Sequence, residues 1–236
     1  MVDIHCHILP NVDDGPSSWE TCVRMCEMAR ADGIEHIVAT PHANDEFNYN
    51  REKLAGLLRE LSERVGGNPK LTLGCDFHLS YENMLEVMKD RSQYTIGDTQ
   101  YLLVELSDFS VPPSVSDSLQ RLLAAGMVPI ITHPERNPVL QRSPKRVVEW
   151  AEQGSLVQIT ANSLTGRWGK QALKTAEWLM KQNVVHVLAS DAHGLDSRPP
   201  ILSAACKVAE GIVGKSASLT LVQENPQAIV NGQPIP

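Results

Sequence analysis

Two histidines separated by a single residue stand near the start of the chain, in the stretch DIHCH. The run VDIH is typical of a β-strand, and side chains two positions apart on a strand point to the same face. His5 and His7 can therefore reach one metal ion, while Cys6 points to the opposite face. Asp3 shares the histidine face one step earlier, where it either orients an imidazole or bonds to another buried polar group.

Further side chains that can bind a metal lie at or just after the carboxyl ends of five of the other six predicted strands, and one lies in the first loop. The complete set of candidate ligands is His5, His7, Asp14, His42, Asp76, Glu105, His133, Asp191 and His193. Histidines scattered through a core would not be so regular, so the pattern favours a site for several metal ions. His36, His78 and His186 show no such placement, and packing or surface positions are expected for them.

The candidate ligands offer nitrogen and carboxylate oxygen without sulfur. This mixture suits manganese, iron or zinc in a hydrolytic site, whereas structural zinc sites usually contain cysteine. Three divalent ions would outweigh the four carboxylates in charge, and such a pocket favours an anion such as a phosphate group. Arg136 in HPER and Arg198 in SRPP follow ligand motifs, and guanidinium groups match phosphate oxygens in geometry. A surface ion pair is the alternative for each arginine.

Other hydrolytic mechanisms lack their motifs in this chain. A thiolate-dependent phosphatase needs an arginine six residues after its cysteine, and none of the five cysteines has one. The G-x-S-x-G, H-E-x-x-H and G-x-x-x-x-G-K-[ST] motifs are also missing. The cysteines are odd in number and scattered, which favours reduced thiols over a disulfide framework.

Short β-branched runs alternate with longer amphipathic runs, and this alternation determines how the candidate ligands are placed. The predicted strands are 2–5, 36–40, 71–75, 101–106, 128–132, 156–160 and 185–190. Helices are predicted between the strands, and the first begins with a capping box at Ser17 and stops at Gly33. Strict alternation implies parallel strands with right-handed crossovers. In parallel barrels, the carboxyl ends of the strands carry the active site.

Seven strand–helix units predict an α/β fold with a closed or nearly closed barrel, and an open doubly wound sheet is the alternative. No composition break or linker marks a second domain, so residues 1–236 are expected to form one domain. The last residues, NPQAIVNGQPIP, are expected to wrap around the domain in turns.

Composition and charge restrict the partners of the protein. The chain has 236 residues, of which 42% are hydrophobic and 21% are charged, as is typical of a soluble globular protein. The net charge of −7 argues against binding to nucleic acid, which needs a basic surface. No apolar run approaches the roughly 18 residues of a membrane span, and no signal peptide is recognisable, so a cytoplasmic protein without membrane insertion is expected. The sequence does not indicate an oligomeric state.

The motifs DIHCHILPNVDDG, ATPH, LLVEL, HPERN and SDAH…SRPP together resemble the PHP (polymerase and histidinol phosphatase) superfamily. The resemblance is strongest to its bacterial capsule-type, metal-dependent protein-tyrosine phosphatases, and it runs in order from residue 2 to about residue 200. It implies a distorted (β/α)7 TIM-like barrel, the PHP fold, with three divalent metal ions. Manganese is the expected metal, and iron, zinc and cobalt are the alternatives.

The same resemblance implies a division of the ligands among the three ions. The first ion takes His5, His7, Asp76 and Asp191; the second shares Asp76 and adds Glu105 and His133; the third takes Asp14, His42 and His193. Asp14 is chosen over Asp13 from the family's DDG pattern. Arg136 and Arg198 match its phosphate contacts, and with Asp191 and His193 they form the expected catalytic set. Where the family usually has Glu, this chain has Asp76, a shorter carboxylate that alters the spacing or weakens the second metal site.

The activity implied is hydrolysis of phosphotyrosine in a protein, with the tail of a tyrosine kinase of polysaccharide export as the substrate. Tyr81, Phe109 and Trp168 could line the rim of the site, although residues that pack a barrel look the same. One alternative is a small-molecule phosphatase or phosphodiesterase that acts on histidinol phosphate or a nucleotide. The other is a metal-binding regulatory module without turnover.

Overall fold

A computed structural model describes residues 1–235 and shows a mixed α/β fold in which strands and helices alternate. The strands are β1 (Val2–Cys6), β2 (His36–Ala39), β3 (His42–Ala43), β4 (Lys70–Leu73), β5 (Asp76–His78), β6 (Tyr101–Glu105), β7 (Val128–Thr132), β8 (Leu156–Thr160) and β9 (Val187–Ala189). Each of the seven predicted strands is present, and two short strands that were not predicted, β3 and β5, are added to them.

The helices cover most of the segments between the strands. They are α1 (Trp19–Ala31), α2 (Arg51–Arg64), α3 (Tyr81–Lys89), α4 (Ser114–Ala124), α5 (Pro138–Arg142), α6 (Lys145–Glu152), α7 (Ala161–Leu164), α8 (Gly169–Lys181), α9 (Ser203–Val213), α10 (Lys215–Thr220) and α11 (Glu224–Val230). None of the helices in residues 1–235 has the length and apolarity needed to cross a membrane.

All strand pairings are parallel, as the alternation of elements predicts. The strands form a three-stranded sheet in the order β1-β2-β4 and a six-stranded sheet in the order β3-β5-β6-β7-β8-β9. The end of β1 meets the segment that follows β9 at an isolated parallel bridge between Cys6 and Ala192. Parallel strands bring their carboxyl ends to the same edge of a sheet, so the residues that follow these strands can converge.

Two predicted strands are interrupted, and each is followed, outside its predicted bounds, by a further short strand that belongs to the other sheet. The predicted strand 36–40 corresponds to β2, and β3 follows it after Pro41, a residue that cannot donate to a strand ladder. The predicted strand 71–75 corresponds to β4, and β5 follows it after Gly74 and Cys75. A β-carbon on Gly74 would lie 2.9 Å from Val38 Cγ1, so the two interrupted strands approach closely at this point.

The beginning of α1 and the end of the chain differ from the prediction. The N-cap of α1 is Ser18, whose hydroxyl accepts from the Thr21 amide, so the helix starts one residue later than the capping box at Ser17 indicated. In the last segment, residues 225–230 lie in α11 rather than in turns. The chain just before this segment is bound to β1, because Val2 N donates to Val222 O at 2.9 Å.

The apolar core has two parts. A large cluster fills the space between the sheets and the surrounding helices. A smaller cluster is built mainly from strand side chains, among them Ile4, Leu103 and Ile130, and it also contains Ile229 of α11. Together these clusters make the strands a rigid support for the side chains at their carboxyl ends.

Candidate metal centre

The end of β1 brings two imidazoles together. His5 Nε2 lies 3.2 Å from His7 Nε2, and both side chains are buried. Cys6 between them is fully buried in the large apolar cluster on the other face. The predicted separation of the two histidines from the cysteine is confirmed.

Asp3 has a partner other than an imidazole. Its carboxylate accepts hydrogen bonds from the Ser190 amide and the Ser190 hydroxyl, and the carboxylate is fully buried. Burial raises the pKa of Asp3 to about 6, although these hydrogen bonds oppose the shift. Of the two alternatives for Asp3, the structure shows a buried polar group that bonds to another buried group, Ser190.

All nine candidate ligands lie together at the carboxyl ends of the strands. Their nitrogen and oxygen atoms form four overlapping groups, and within each group the ligand atoms lie within 4.8 Å of one another. The groups are His7–Asp14–His42–His193, His5–His7–Asp76, His5–His133–Asp191 and His42–Asp76–Glu105. The overlap joins the residues into one continuous cluster that reaches from buried His5 to exposed Asp14.

The grouping differs in part from the division implied by the family resemblance. His133 lies with His5 and Asp191, and its Nε2 is 3.8 Å from Glu105 Oε1. His42 belongs to two groups, and its Nδ1 lies 3.2 Å from Asp76 Oδ2. Both histidines therefore lie between groups. The division among ions differs, but the nine residues in the cluster are the nine that the sequence predicted.

Several atoms of the cluster fit metal ligation because their near neighbours are other candidate ligands. His42 Nδ1, His193 Nε2 and both carboxylate oxygens of Asp76 are buried without a well-formed hydrogen bond, although His42 Nδ1 lies 3.2 Å from Asp76 Oδ2 and His193 Nε2 lies 3.0 Å from Asp14 Oδ1. Buried polar atoms are normally paired, and unpaired ones are costly to keep. Asp76 is central, since its Oδ2 also lies 3.5 Å from His5 Nε2. This set of nitrogen and carboxylate oxygen atoms is one that divalent metal ions bind.

The charges within the cluster are complementary. Burial alone would lower the pKa of His5, but Asp76 and Asp191 outweigh it and raise the pKa to about 9. Burial likewise opposes the carboxylates around His42, and Asp14, Asp76 and Glu105 raise its pKa to about 11. The carboxylates thus create a negative potential in which cations are stabilised.

Hydrogen bonds to the outer ring nitrogens orient the first two histidines. His7 Nδ1–H donates to Asp13 Oδ2 at 2.7 Å, and His5 Nδ1–H donates to Gln158 Oε1 at 2.9 Å. Both Nε2 atoms are left to face the cluster, as in the carboxylate–histidine pairs of metal sites. The loop that carries Asp13 requires glycine at position 15, because a β-carbon there would lie 2.9 Å from Asp13 Oδ1. Neither role was predicted, although the DDG motif contained the signal for Asp13.

Both candidate arginines bind carboxylates of the cluster. Arg136 Nη1 donates to Asp191 Oδ2, while Asp191 Oδ1 lies 3.3 Å from His5 Nε2. Arg198 Nη2 donates to Asp14 Oδ2 at 2.9 Å, while Asp14 Oδ1 lies 3.0 Å from His193 Nε2. In each carboxylate, one oxygen faces the histidines and the other faces an arginine.

Two of the candidate ligands have unusual backbone conformations. His133, directly after β7, has φ of 34°, and Asp191, two residues after β9, has φ of 51°. The left-handed region costs a residue with a β-carbon about 1 kcal/mol or more relative to a right-handed conformation. These two turns direct the side chains from the strand ends into the cluster.

The histidines outside the predicted set fall into two kinds. His36 begins β2 and His186 immediately precedes β9, so both lie at the amino ends of strands and away from the cluster. His78, for which packing or a surface position was expected, instead lies beside the cluster, with Nδ1 3.5 Å from Glu105 Oε2. His78 and Asp76 are two apart in β5 and share a face, and this spacing was the available signal.

Glu135 of the HPER motif is a buried carboxylate that the sequence did not single out. Its Oε1 accepts from the Thr160 amide at 3.0 Å and from the Ser163 hydroxyl at 2.6 Å. Burial raises its pKa to about 7 against the effect of these hydrogen bonds. Glu135 therefore links the turn after β7 to the start of α7.

The cysteines do not take part in the cluster. All five are free, and four of them are buried. Burial raises the pKa of Cys22 and Cys26 to about 12 and the pKa of Cys6 and Cys75 well above its usual value. A buried thiol with a raised pKa is a poor nucleophile, so the structure supports the exclusion of thiolate chemistry.

Known proteins are similar to this chain over most or all of its length. A family model for capsular polysaccharide synthesis proteins, CpsB/CapC, matches residues 1–231. The putative tyrosine-protein phosphatase CapC of Staphylococcus aureus is 34% identical over 208 residues, which are 86% of this chain and 80% of that protein. The tyrosine-protein phosphatase YwqE of Bacillus subtilis is 32% identical over 241 residues, which are 100% of this chain and 93% of that protein.

A solved structure has the same fold. It comes from crystal structures of Bacillus subtilis YwqE and Streptococcus pneumoniae CpsB, described as unique metal-dependent tyrosine phosphatases. The similarity has a TM-score of 0.93 at 31% identity, and it covers 100% of this chain and 96% of that chain.

Proposed function

The chain belongs to the CpsB/CapC family of capsular polysaccharide synthesis proteins, and we propose that it is a metal-dependent phosphatase that hydrolyses phosphotyrosine in proteins. The observation that carries this proposal is the single cluster of imidazoles and carboxylates at the carboxyl ends of the strands. Two arginines lie at its edge, so cations and an anion could be held side by side.

We propose that three divalent ions, with manganese as the first choice, occupy this cluster. Asp76 is suited to bridge two of them, because its Oδ2 faces both His5 and His42. Asp76 is shorter than the usual family glutamate. We expect His78 to compensate by fixing the carboxylate of Glu105, because His78 Nδ1 lies 3.5 Å from Glu105 Oε2. The ions supply a bound water that ionises near neutral pH and positive charge for the phosphoryl oxygens.

The chain's own residues bind and orient the substrate. Arg136 and Arg198 offer guanidinium donors beside Asp191 and Asp14, where a phosphoryl group could accept them. Asp191 and His193 contribute ligand atoms to the cluster from the loop after β9. Asp13 and Gln158 keep the ring protons of His7 and His5 on Nδ1, so Nε2 presents its lone pair to the cluster.

The substrate class follows from the surroundings of the cluster. Tyr81, Phe109 and Trp168 are exposed large side chains, and each lies in a segment that follows the carboxyl end of a strand. Such surfaces suit the aromatic ring of a phosphotyrosine better than an alkyl phosphate. The relatives are tyrosine phosphatases, and we propose the tail of a tyrosine kinase of polysaccharide export as the partner.

We propose that the fold is a distorted (β/α)7 barrel and that residues 1–236 form one domain. The two sheets would complete the barrel through the bridge between Cys6 and Ala192 and through the adjacency of the interrupted strands. We place the protein in the cytoplasm, because five free cysteines suit a reducing compartment.

The proposal is tested by comparing three substrates with the manganese-loaded protein: a phosphotyrosine peptide, the same peptide with phosphoserine, and histidinol phosphate. We expect the phosphotyrosine peptide to have the highest kcat/KM and a chelator to remove the activity. A preference for histidinol phosphate would replace the proposal with a small-molecule phosphatase. A fully metallated protein without turnover of any of the three would identify a regulatory module.

A further inference from the structure

Arg136 is held between two groups of different kind. Its guanidinium donates to Asp191 on one side, and on the other its ζ-carbon lies 3.8 Å from the centroid of the Trp168 ring. The arginine side chain is 19% exposed, so most of its surface is covered by these neighbours. A cation above an indole face is attracted by the ring's quadrupole, and the attraction grows as water is excluded.

The turn that carries Trp168 is anchored at several points. It joins α7 to α8, and glycines with φ of 82° and 86°, Gly166 and Gly169, flank it. Arg167 Nη1 donates to Asp196 O at 3.0 Å, in the loop that also carries Arg198. At its other side, the hydrogen bonds of Glu135 connect α7 to the HPER turn. The indole is therefore fixed relative to both arginines.

The two oxygens of Asp191 face different partners, and for this reason Arg136 needs the indole as a second contact. Oδ1 faces His5 and the metal ligands, so an ion bound there would withdraw charge from the carboxylate and weaken its attraction for Arg136. The contact with Trp168 does not depend on that charge. Within residues 1–235, Arg136 makes one side-chain hydrogen bond, through Nη1, which leaves Nε and Nη2 as donors for another group.

We propose that Trp168 is a positioning residue for Arg136: its indole face fixes the plane of the guanidinium so that the remaining donors face the phosphate group of the substrate. This inference rests on the proposed phosphatase function, since it assigns Arg136 to phosphate. Trp168 acts through Arg136 and does not itself bind the phosphate.

The test measures binding of inorganic phosphate to the full-length, manganese-loaded protein by isothermal titration calorimetry. We expect Trp168→Ala to raise the dissociation constant about fivefold, as loss of a partly exposed cation–π contact predicts. Trp168→Phe, which keeps an aromatic face, should stay within about twofold of the wild type. If Trp168→Ala does not fold, Trp168→Leu keeps the bulk of the side chain without the aromatic face.

A double-mutant cycle separates positioning from direct contact. Arg136→Met should weaken phosphate binding by about thirtyfold, as loss of a charge-assisted hydrogen bond predicts. Adding Trp168→Ala to Arg136→Met should then have no further effect. Trp19→Ala is the matched control, because Trp19 contacts Arg64 at 4.6 Å in a stack between α1 and α2, and phosphate affinity should not change.

Two results would overturn the inference: unchanged phosphate affinity in Trp168→Ala, or an equal loss in the wild-type and Arg136→Met backgrounds. Failure of the proposed function is a separate outcome. A wild-type protein that binds phosphate through Arg136, with an affinity that depends on Trp168, but hydrolyses no phosphotyrosine peptide would refute the function and support the inference.

Discussion

The two ends of the parallel strands use histidine in opposite ways. At the amino ends, His36 Nε2 pairs with Thr72 Oγ1 at 2.8 Å, and His186 Nδ1 accepts from the Val157 amide at 3.1 Å. At the carboxyl ends, His42 Nδ1 and His193 Nε2 are buried without a well-formed hydrogen bond. The four residues are of one type and all are largely covered, so burial alone does not separate structural from functional histidines.

The difference lies in the groups that face each imidazole. Burial lowers the pKa of His36 to about 4 and also lowers that of His186, and both are neutral at pH 7. Around His42, carboxylates overcome burial and raise the pKa to about 11. The strands thus keep neutral, hydrogen-bonded histidines at one end. At the other end imidazoles and carboxylates face one another, so that carboxylates raise the pKa of His5 and His42 while burial lowers the pKa of His7 and His133.

Replacing one histidine at each end is the strongest way to break this contrast. We expect His42→Ala to lower phosphatase turnover at least about a thousandfold, because the imidazole stands between two ligand groups and its loss disrupts both. Phosphotyrosine peptide hydrolysis, metal content and thermal melting should be measured together. His36→Gln is the control, and it should keep full turnover. Full activity in folded His42→Ala would mean that the ligand assignment is wrong.

A smaller effect is expected from the residue that orients His7. Asp13→Asn replaces an acceptor oxygen and should weaken metal binding about 10- to 100-fold, as is usual for partners of metal-bound histidines. Competition titration against a chelator measures this affinity.

The matched control for Asp13→Asn is a carboxylate that accepts backbone amides elsewhere. Asp32 Oδ2 accepts from the amides of Leu202 and Ser203 at 2.7 and 3.0 Å. Asp32→Asn should lower the free energy of unfolding by about 1 kcal/mol and leave metal affinity unchanged. Equal metal affinity in Asp13→Asn and the wild type would remove Asp13 from the centre.

The amino-end histidines should appear in the pH dependence of stability. The folded pKa of His36, about 4, lies below its unfolded value of 6.5, so the unfolded chain binds more protons between these values. The stabilisation is complete above pH 6.5 and is lost as the pH falls towards 4. His36→Gln should make this acid destabilisation shallower, by about 1 to 2 kcal/mol after allowance for solvent screening.

Urea unfolding of the wild type and His36→Gln at pH 7 and pH 5 measures the difference. Other histidines contribute equally to both proteins, so they cancel in the comparison. Identical pH dependence in the two proteins would show that His36 is not held neutral by the fold.

The smallest effect is expected from the thiols. Because four cysteines are buried and their pKa values are raised, iodoacetamide at pH 7.5 should leave the turnover of the folded, metal-loaded protein unchanged. Cys206 is partly exposed, and Cys206→Ser shows whether any modification there matters. Rapid inactivation of both proteins would restore a thiol mechanism.

The strand ends and the clustering of the candidate ligands there were predictable because the signal is local. A β-branched run identifies each strand, and the residue type that follows it can be read directly, as with His42 and Glu105. The partners of the ligands were not predictable in this way. Gln158 meets His5 across 153 positions of sequence, and this contact depends on the register of the completed sheets.

The differences in the fold have similar causes. Pro41 interrupts a strand pattern that otherwise continues, and only the neighbouring strand shows that β3 pairs beyond it. In the final segment, turns were expected. Pro226 instead lies in the first turn of α11, where its missing amide would have had no partner in the helix. The local sequence alone does not distinguish a proline that interrupts a strand from a proline in the first turn of a helix.

At His133 and Asp191, whose backbones are left-handed, selection for stability and selection for activity favour different residues. A glycine at either position would relax the turn by about 1 kcal/mol, because it has no β-carbon to crowd the following carbonyl. The same glycine would remove a side chain from the cluster. Directed evolution for heat resistance alone should therefore collect glycine at these two positions and yield robust but inactive proteins, a trade-off between stability and activity located at two residues.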